Sequence, residues 1–108
     1  MLKKSYLLAA TVAACCTQAF ATTGNDLLRW APEYEKELGT FNGGVLAGYV
    51  VGVNDALSNI LFCPPAGVTN GQLGAIALKY IRDNPERWNE SGAALMIDGF
   101  EKAFPCKK

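Results

Sequence analysis

Residues 41–63, FNGGVLAGYVVGVNDALSNILFC, constrain the fold of this chain more than any other stretch. Gly44, Gly48, Gly52 and Ala56 recur every fourth residue, so on a helix they form one stripe without side chains. Beside it, Val45, Tyr49, Val53, Leu57 and Ile60 repeat at near-helical spacing and make an apolar stripe. A buried strand is the competing reading, because Tyr49, Val50 and Val51 favour extended backbone. Gly43, Gly44, Gly48 and Gly52 together cost a helix about 3–4 kcal/mol relative to alanine. That sum matters to a domain whose whole stability is ~5–15 kcal/mol. A four-residue period held this long still favours the helix. The expectation is a central helix ended by Cys63, Pro64 and Pro65. Its bare stripe of Gly44, Gly48, Gly52 and Ala56 then lets another helix lie close, from this chain or a second copy. Asp55, next to the stripe, is read as a structural residue that hydrogen-bonds within the fold.

Residues 1–21 are set apart. Lys3 and Lys4 give a positive start, residues 6–16 are apolar, and Ala19-Phe20-Ala21 is an A-x-A cleavage pattern. The apolar run is shorter than the roughly 20 residues needed to span a bilayer. The pattern is that of an export signal removed after Ala21. A second possibility is lipidation, since Val12-Ala13-Ala14-Cys15 resembles a lipoprotein box that would anchor the chain at Cys15. The remainder, residues 22–108, is expected to be a single domain.

Without Lys3 and Lys4, eight basic residues face ten acidic ones, a net charge of 8 − 10 = −2. No basic stripe exists to neutralise phosphates, which argues against nucleic acid as a partner. With Cys15 and Cys16 in the signal, Cys63 and Cys106 remain. In an exported chain two cysteines most simply form one disulfide. Closing a loop of that length is worth roughly 4 kcal/mol on the chain-entropy view. Two free thiols, or one in catalysis, is the rival reading.

The rest of the chain reads as helices. Asn25 or Asp26 can cap a first helix through Leu27, Leu28 and Trp30, with Pro32 interrupting it or beginning a second turn and Gly39 closing it. Glu33, Glu35 and Glu37 read as its solvated face. Thr69 and Gln72 form a capping box for a helix with Leu73, Ile76, Ala77 and Tyr80 on one face. Asn84 and Pro85 stop that helix and suit the start of a fourth, carrying Trp88, Leu95, Met96, Gly99 and Phe100. The fold class expected is all-α, a small four-helix bundle tied by one disulfide.

Chemistry-bearing constellations are sparse. The chain has no histidine, so Ser-His-Asp and Cys-His arrangements and the common zinc ligand sets cannot be assembled. No Lys-Ser/Thr follows the glycines, which rules out a phosphate loop. Asp55 and Asp98 sit in apolar helices, where carboxylates more often meet an Arg or a backbone than do acid–base work. The expectation is a protein without catalytic residues, cofactor or metal. Residues 82–90 concentrate Arg82, Arg87 and Trp88, the residue types that dominate interfaces, and form the candidate partner-binding segment. The stiff turn at 63–71 is the alternative.

Several motifs then agree in order. Residues 48–56, GYVVGVNDA, are similar to the "GY(I/V)xGxxDA" segment of Rap/Tai-type immunity proteins. Residues 62–69, FCPPAGVT, resemble their "CxPxGVT" turn. Gln72-Leu73, then Tyr80 with Pro85-Glu86, and the closing Ala103-Phe104-Pro105-Cys106 follow in sequence. The resemblance covers nearly all of residues 22–108. It implies a helical, often dimeric, periplasmic protein that protects a bacterium from type VI secretion effectors. Those effectors are peptidoglycan amidases, which such proteins inhibit by occupying the substrate cleft. A second cysteine pair found in many relatives is missing, with Trp30 or Ala31 and Leu46 at the nearest positions. An acid-stress chaperone of the periplasm is the rival function class. A minor amidase cofactor or wall-associated lipoprotein, dependent on Cys15, is a third.

Overall fold

In a computed structural model of the chain, residues 21–36 and 39–107 are described. The expected export signal lies outside them, except for Ala21. Four α-helices follow one another: α1 (Gly24–Lys36), α2 (Phe41–Leu57), α3 (Asn70–Asp83) and α4 (Gly92–Ala103), with a 3₁₀ turn (Pro85–Arg87) before α4. Among the described residues there is no strand, only isolated bridges between Thr23 and Ser91 and between Ser58 and Phe62.

Caps set the helix starts. Thr69 accepts from the Gln72 backbone while the Gln72 side chain accepts from Thr69 N–H, the capping box expected for α3. The start of α1 differs from expectation. Thr23, not Asn25 or Asp26, stands ahead of the helix, its hydroxyl accepting from Asp26 N–H and its own N–H donating to the Asp26 carboxylate. Pro32 lies inside α1 and does not end it. Thr40 caps α2 and Ser91 caps α4 through the same oxygen-to-N–H geometry.

Two boundaries shift. The fourth helix starts at Gly92, so Trp88 lies in the connection, because Pro85 begins only a single 3₁₀ turn. The second helix ends at Leu57, well before Cys63. Ser58 leaves helical geometry with ψ 140° and Asn59 takes φ +64°, a left-handed conformation that asparagine tolerates.

The core joins all four helices. Leu27 and Ala31 of α1, Leu46 and Val50 of α2, Leu73, Leu78 and Ile81 of α3, and Leu95, Met96 and Phe100 of α4 are buried. Phe62 is also fully buried, its ring 5.0 Å from that of Phe100. Burying side chains of this size stabilises by about 1.5–3 kcal/mol each before chain entropy is counted. α1 lies chiefly against α2, and α3 chiefly against α4. The Cys63–Cys106 disulfide, with Cα atoms 4.9 Å apart, fastens the segment after α2 to the C-terminal segment. Cys63 N–H also donates to Phe104 carbonyl oxygen at 2.8 Å.

Candidate partner-binding surfaces

The residues named for partner binding sit around a compact polar knot. Asn84 ends α3 and donates its side-chain amide to Tyr80 carbonyl oxygen, which folds the 3₁₀ turn back along the helix. Arg87 is thereby placed between α3 and α4. Its guanidinium donates twice to Glu90, at 2.9 and 3.0 Å, once to Asp98 at 2.7 Å, and once to the Tyr80 hydroxyl at 2.8 Å. It also lies 6.0 Å from the Tyr80 ring centroid. These hydrogen bonds to Glu90 and Asp98 hold Arg87 firmly protonated, and the Arg87 bonds hold the Glu90 carboxyl below its ordinary range.

Arg82 points the other way and forms a fork with the Glu35 carboxylate of α1. That bond depresses the Glu35 carboxyl and raises the Arg82 guanidinium. Glu35 is therefore tied down, and Glu33 likewise accepts from the Asn42 side chain, so neither belongs to a purely solvated face. Trp88 donates its indole N–H to Ile81 carbonyl oxygen at 2.6 Å and packs against the core. The structure thus brings Arg82, Arg87 and Trp88 to one end of α3 and gives each an internal partner. Arg82 retains 44 % of its side chain exposed, against 25 % for Arg87, and Trp88 is half-buried.

α2 departs from expectation. Gly44, Gly48, Gly52 and Ala56 are exposed, and a methyl group placed on any of the three glycines meets no atom within 4 Å. Among the described residues no helix of this chain packs on the stripe, so close packing within the fold is not its role. The inward face is instead Gly43, Leu46 and Val50, with Tyr49, Val53 and Leu57 half-buried beside them. Tyr49 reaches the backbone of Ala93 on α4, and burial pushes its hydroxyl above the ordinary tyrosine range.

Asp55 also differs. It is exposed in the last turn of α2 and makes no hydrogen bond or ion pair among the described residues, so the structural role expected for it is not seen. Asp98 does meet an arginine.

Sequence reading missed the turn after α2. By spacing Ile60 belongs to the apolar stripe of Val45, Tyr49, Val53 and Leu57, yet it is 70 % exposed and Leu61 is 43 % exposed. The signal was Ser58-Asn59, a polar pair that favours leaving the helix. A cleft of about 230 Å³ beside this turn is lined by Asn54, Ser58, Asn59, Pro64 and Pro65, among others. A second, of about 260 Å³, lies between α3 and α4, lined by Ile76, Tyr80, Gly99 and Lys102.

Among the described residues no group of His, Cys, Asp and Glu is arranged to hold a metal ion, and no helix is long and apolar enough to cross a membrane. Among curated proteins and among solved structures, neither comparison finds a match. A family model, that of the Rap1a immunity proteins, matches residues 23–106. The match begins at the Thr23 cap, ends at Cys106 of the disulfide, and takes in all four helices, so the chain belongs to the Rap1a immunity protein family.

Proposed function

We propose that this chain is an exported immunity protein that binds a type VI peptidoglycan amidase effector and fills its cleft in the periplasm. In this reading residues 1–21 are removed and residues 22–108 act as one domain, without cofactor or chemistry of their own. The observation that carries it is the family match over residues 23–106. The disulfide supports it, because such bridges persist in oxidising compartments. Purified amidases of this class, assayed on peptidoglycan, test it directly. Stoichiometric loss of wall cleavage is expected, and full cleavage in excess protein with every enzyme tried would end the proposal. The same reading keeps 82–90 as a proposed contact segment, with Arg82 the residue to reverse. Mass spectrometry of the processed N-terminus separates a free Thr22 from a lipidated Cys15.

A second copy of the chain is the proposed occupant of the open α2 face. Residues 41–54 carry no charge, and their exposed glycines let two helices approach backbone to backbone. Gly48→Leu should fold normally and elute as a monomer where wild type elutes as a dimer. A monomeric wild type would reject the dimer.

The same exposed face supports one rival, an acid-stress chaperone. Light scattering of aggregating clients at low pH decides it: suppression with no amidase inhibition favours the chaperone.

A further inference from the structure

The turn that follows α2 spends two aliphatic side chains on solvent while its backbone is locked. Asn59 N–H donates to Phe62 carbonyl oxygen at 2.7 Å, and the N–H groups of Ile60 and Leu61 both donate to Leu57 at 3.0 Å. Phe62, the next residue, is wholly buried against Phe100, and Cys63 is held by the disulfide and by Phe104. The turn is thus pinned from below and closed across its neck. Ile60 at 70 % and Leu61 at 43 % exposure are two of the three large apolar side chains so exposed among the described residues. Among the described residues neither belongs to the core or packs against it.

The same end of α2 is electrostatically one-sided. Asp55 lies in its last turn without an ion-pair partner among the described residues, and no basic residue stands there to offset the negative end of the helix dipole. Negative charge beside an apolar tip repels an anionic lipid surface and attracts a cationic protein rim. The donated N–H groups leave no edge for strand addition, so recognition must go through side chains.

We infer that the 58–61 turn is the tip this chain inserts into its protein partner, with Ile60 and Leu61 in an apolar pocket and Asp55 against a basic side chain at its rim. This surface rests on the proposed function and names where the effector is gripped. A locked turn loses little entropy on docking, which is what a tight inhibitor needs.

The test measures binding of purified type VI peptidoglycan amidases to wild type, to Ile60→Ser/Leu61→Ser, to Asp55→Asn and to Phe41→Ser. The double variant should bind roughly 30-fold or more weakly, the loss typical of an interface hot spot. Asp55→Asn should bind several-fold more weakly at low salt, with the difference fading as salt rises. Phe41→Ser, equally apolar and 84 % exposed at the opposite end of α2, should bind as wild type. Circular dichroism and melting check the fold, and Ile60→Lys, at the more exposed position, gives an independent reading if the double variant melts early. Wild-type affinity in both Ile60 variants, or equal loss in Phe41→Ser, overturns this surface while leaving the immunity reading intact. Failure of wild type to bind any amidase overturns both.

Discussion

On α3 and α4, Gly74 and Gly99 lie where a neighbouring side chain rests on helix backbone; on α2, Gly44, Gly48 and Gly52 lie where nothing does. A methyl group on Gly99 would come within 2.9 Å of Tyr80 Cβ, and one on Gly74 would overlap the Tyr34 hydroxyl. Gly24 and Gly92 are similarly confined, by Leu95 and by Leu27. One set of glycines makes room for this chain's own core. The other costs helix propensity and returns nothing within the fold. The two sets teach that a small residue in a helix marks a close approach only when something is there to approach.

The contrast can be broken most sharply at Gly99. Gly99→Val should destabilise by roughly 2–3 kcal/mol in denaturant unfolding, because Tyr80 Cβ is fixed to its helix and cannot retreat. A loss under about 0.5 kcal/mol would show that the α3–α4 contact is soft and the distinction empty. Gly24→Ala should cost less, about 1–2 kcal/mol, since Leu95 Cδ1 at 2.7 Å can swing aside but Trp88 carbonyl oxygen at 3.1 Å cannot. Gly48→Ala should move the other way and raise stability by about 0.5–1 kcal/mol, the helix preference recovered at an open position. A drop there, in dilute monomeric protein, would mean that the face is covered after all.

The smallest effect is expected from acid, and it too divides the molecule. Among the described residues the ion pairs belong to α1, α3, α4 and the connection that holds the 3₁₀ turn and Glu90, and none lies on α2. Asp26, held chiefly by Thr23 N–H, Glu35, held by Arg82, and Glu90, held by Arg87, all titrate below ordinary carboxylates when folded. Their contribution is therefore whole above the ordinary carboxylate range, about pH 4. It drains as pH falls through the lowered values. For the solvent-exposed Arg82–Glu35 pair this is a few tenths of a kcal/mol. Amide protection, taken relative to the intrinsic exchange rate at each pH, should fall first around Arg82 and Arg87 between pH 5 and pH 3. Earlier loss of protection in α2 would contradict the division.

Much of the fold was legible from residue types with one local meaning. Thr69 with Gln72 gave the α3 start, Asn84-Pro85 its end, and Cys63 with Cys106 the bridge, because capping, proline and cysteine chemistry act through near neighbours or a single partner. The α2 face was not legible for a physical reason. Residues 41–54 are uncharged all round, so the sequence carries a helical period with no polar side to orient it. A bare stripe then reads the same whether it is covered or open. The Leu57 stop was hidden because Ile60, Leu61 and Phe62 continue the apolar run past it; only Phe62 turns inward. The segment with Arg82, Arg87 and Trp88 drew notice by composition, but composition cannot tell an interface arginine from one already paired with Glu35 or Asp98.

The bridge between Cys63 and Cys106 also sets an order in time. Every helix precedes Cys106 in the chain, and residues 22–105 offer Cys63 no other cysteine. As the chain emerges from its N-terminus, α1, α2 and α3 are all available before the bridge has a second end. Within residues 22–108 oxidation is therefore a closing step with one possible product. It fastens Cys63, just past the 58–61 turn, to the C-terminal segment only after α4 has been made.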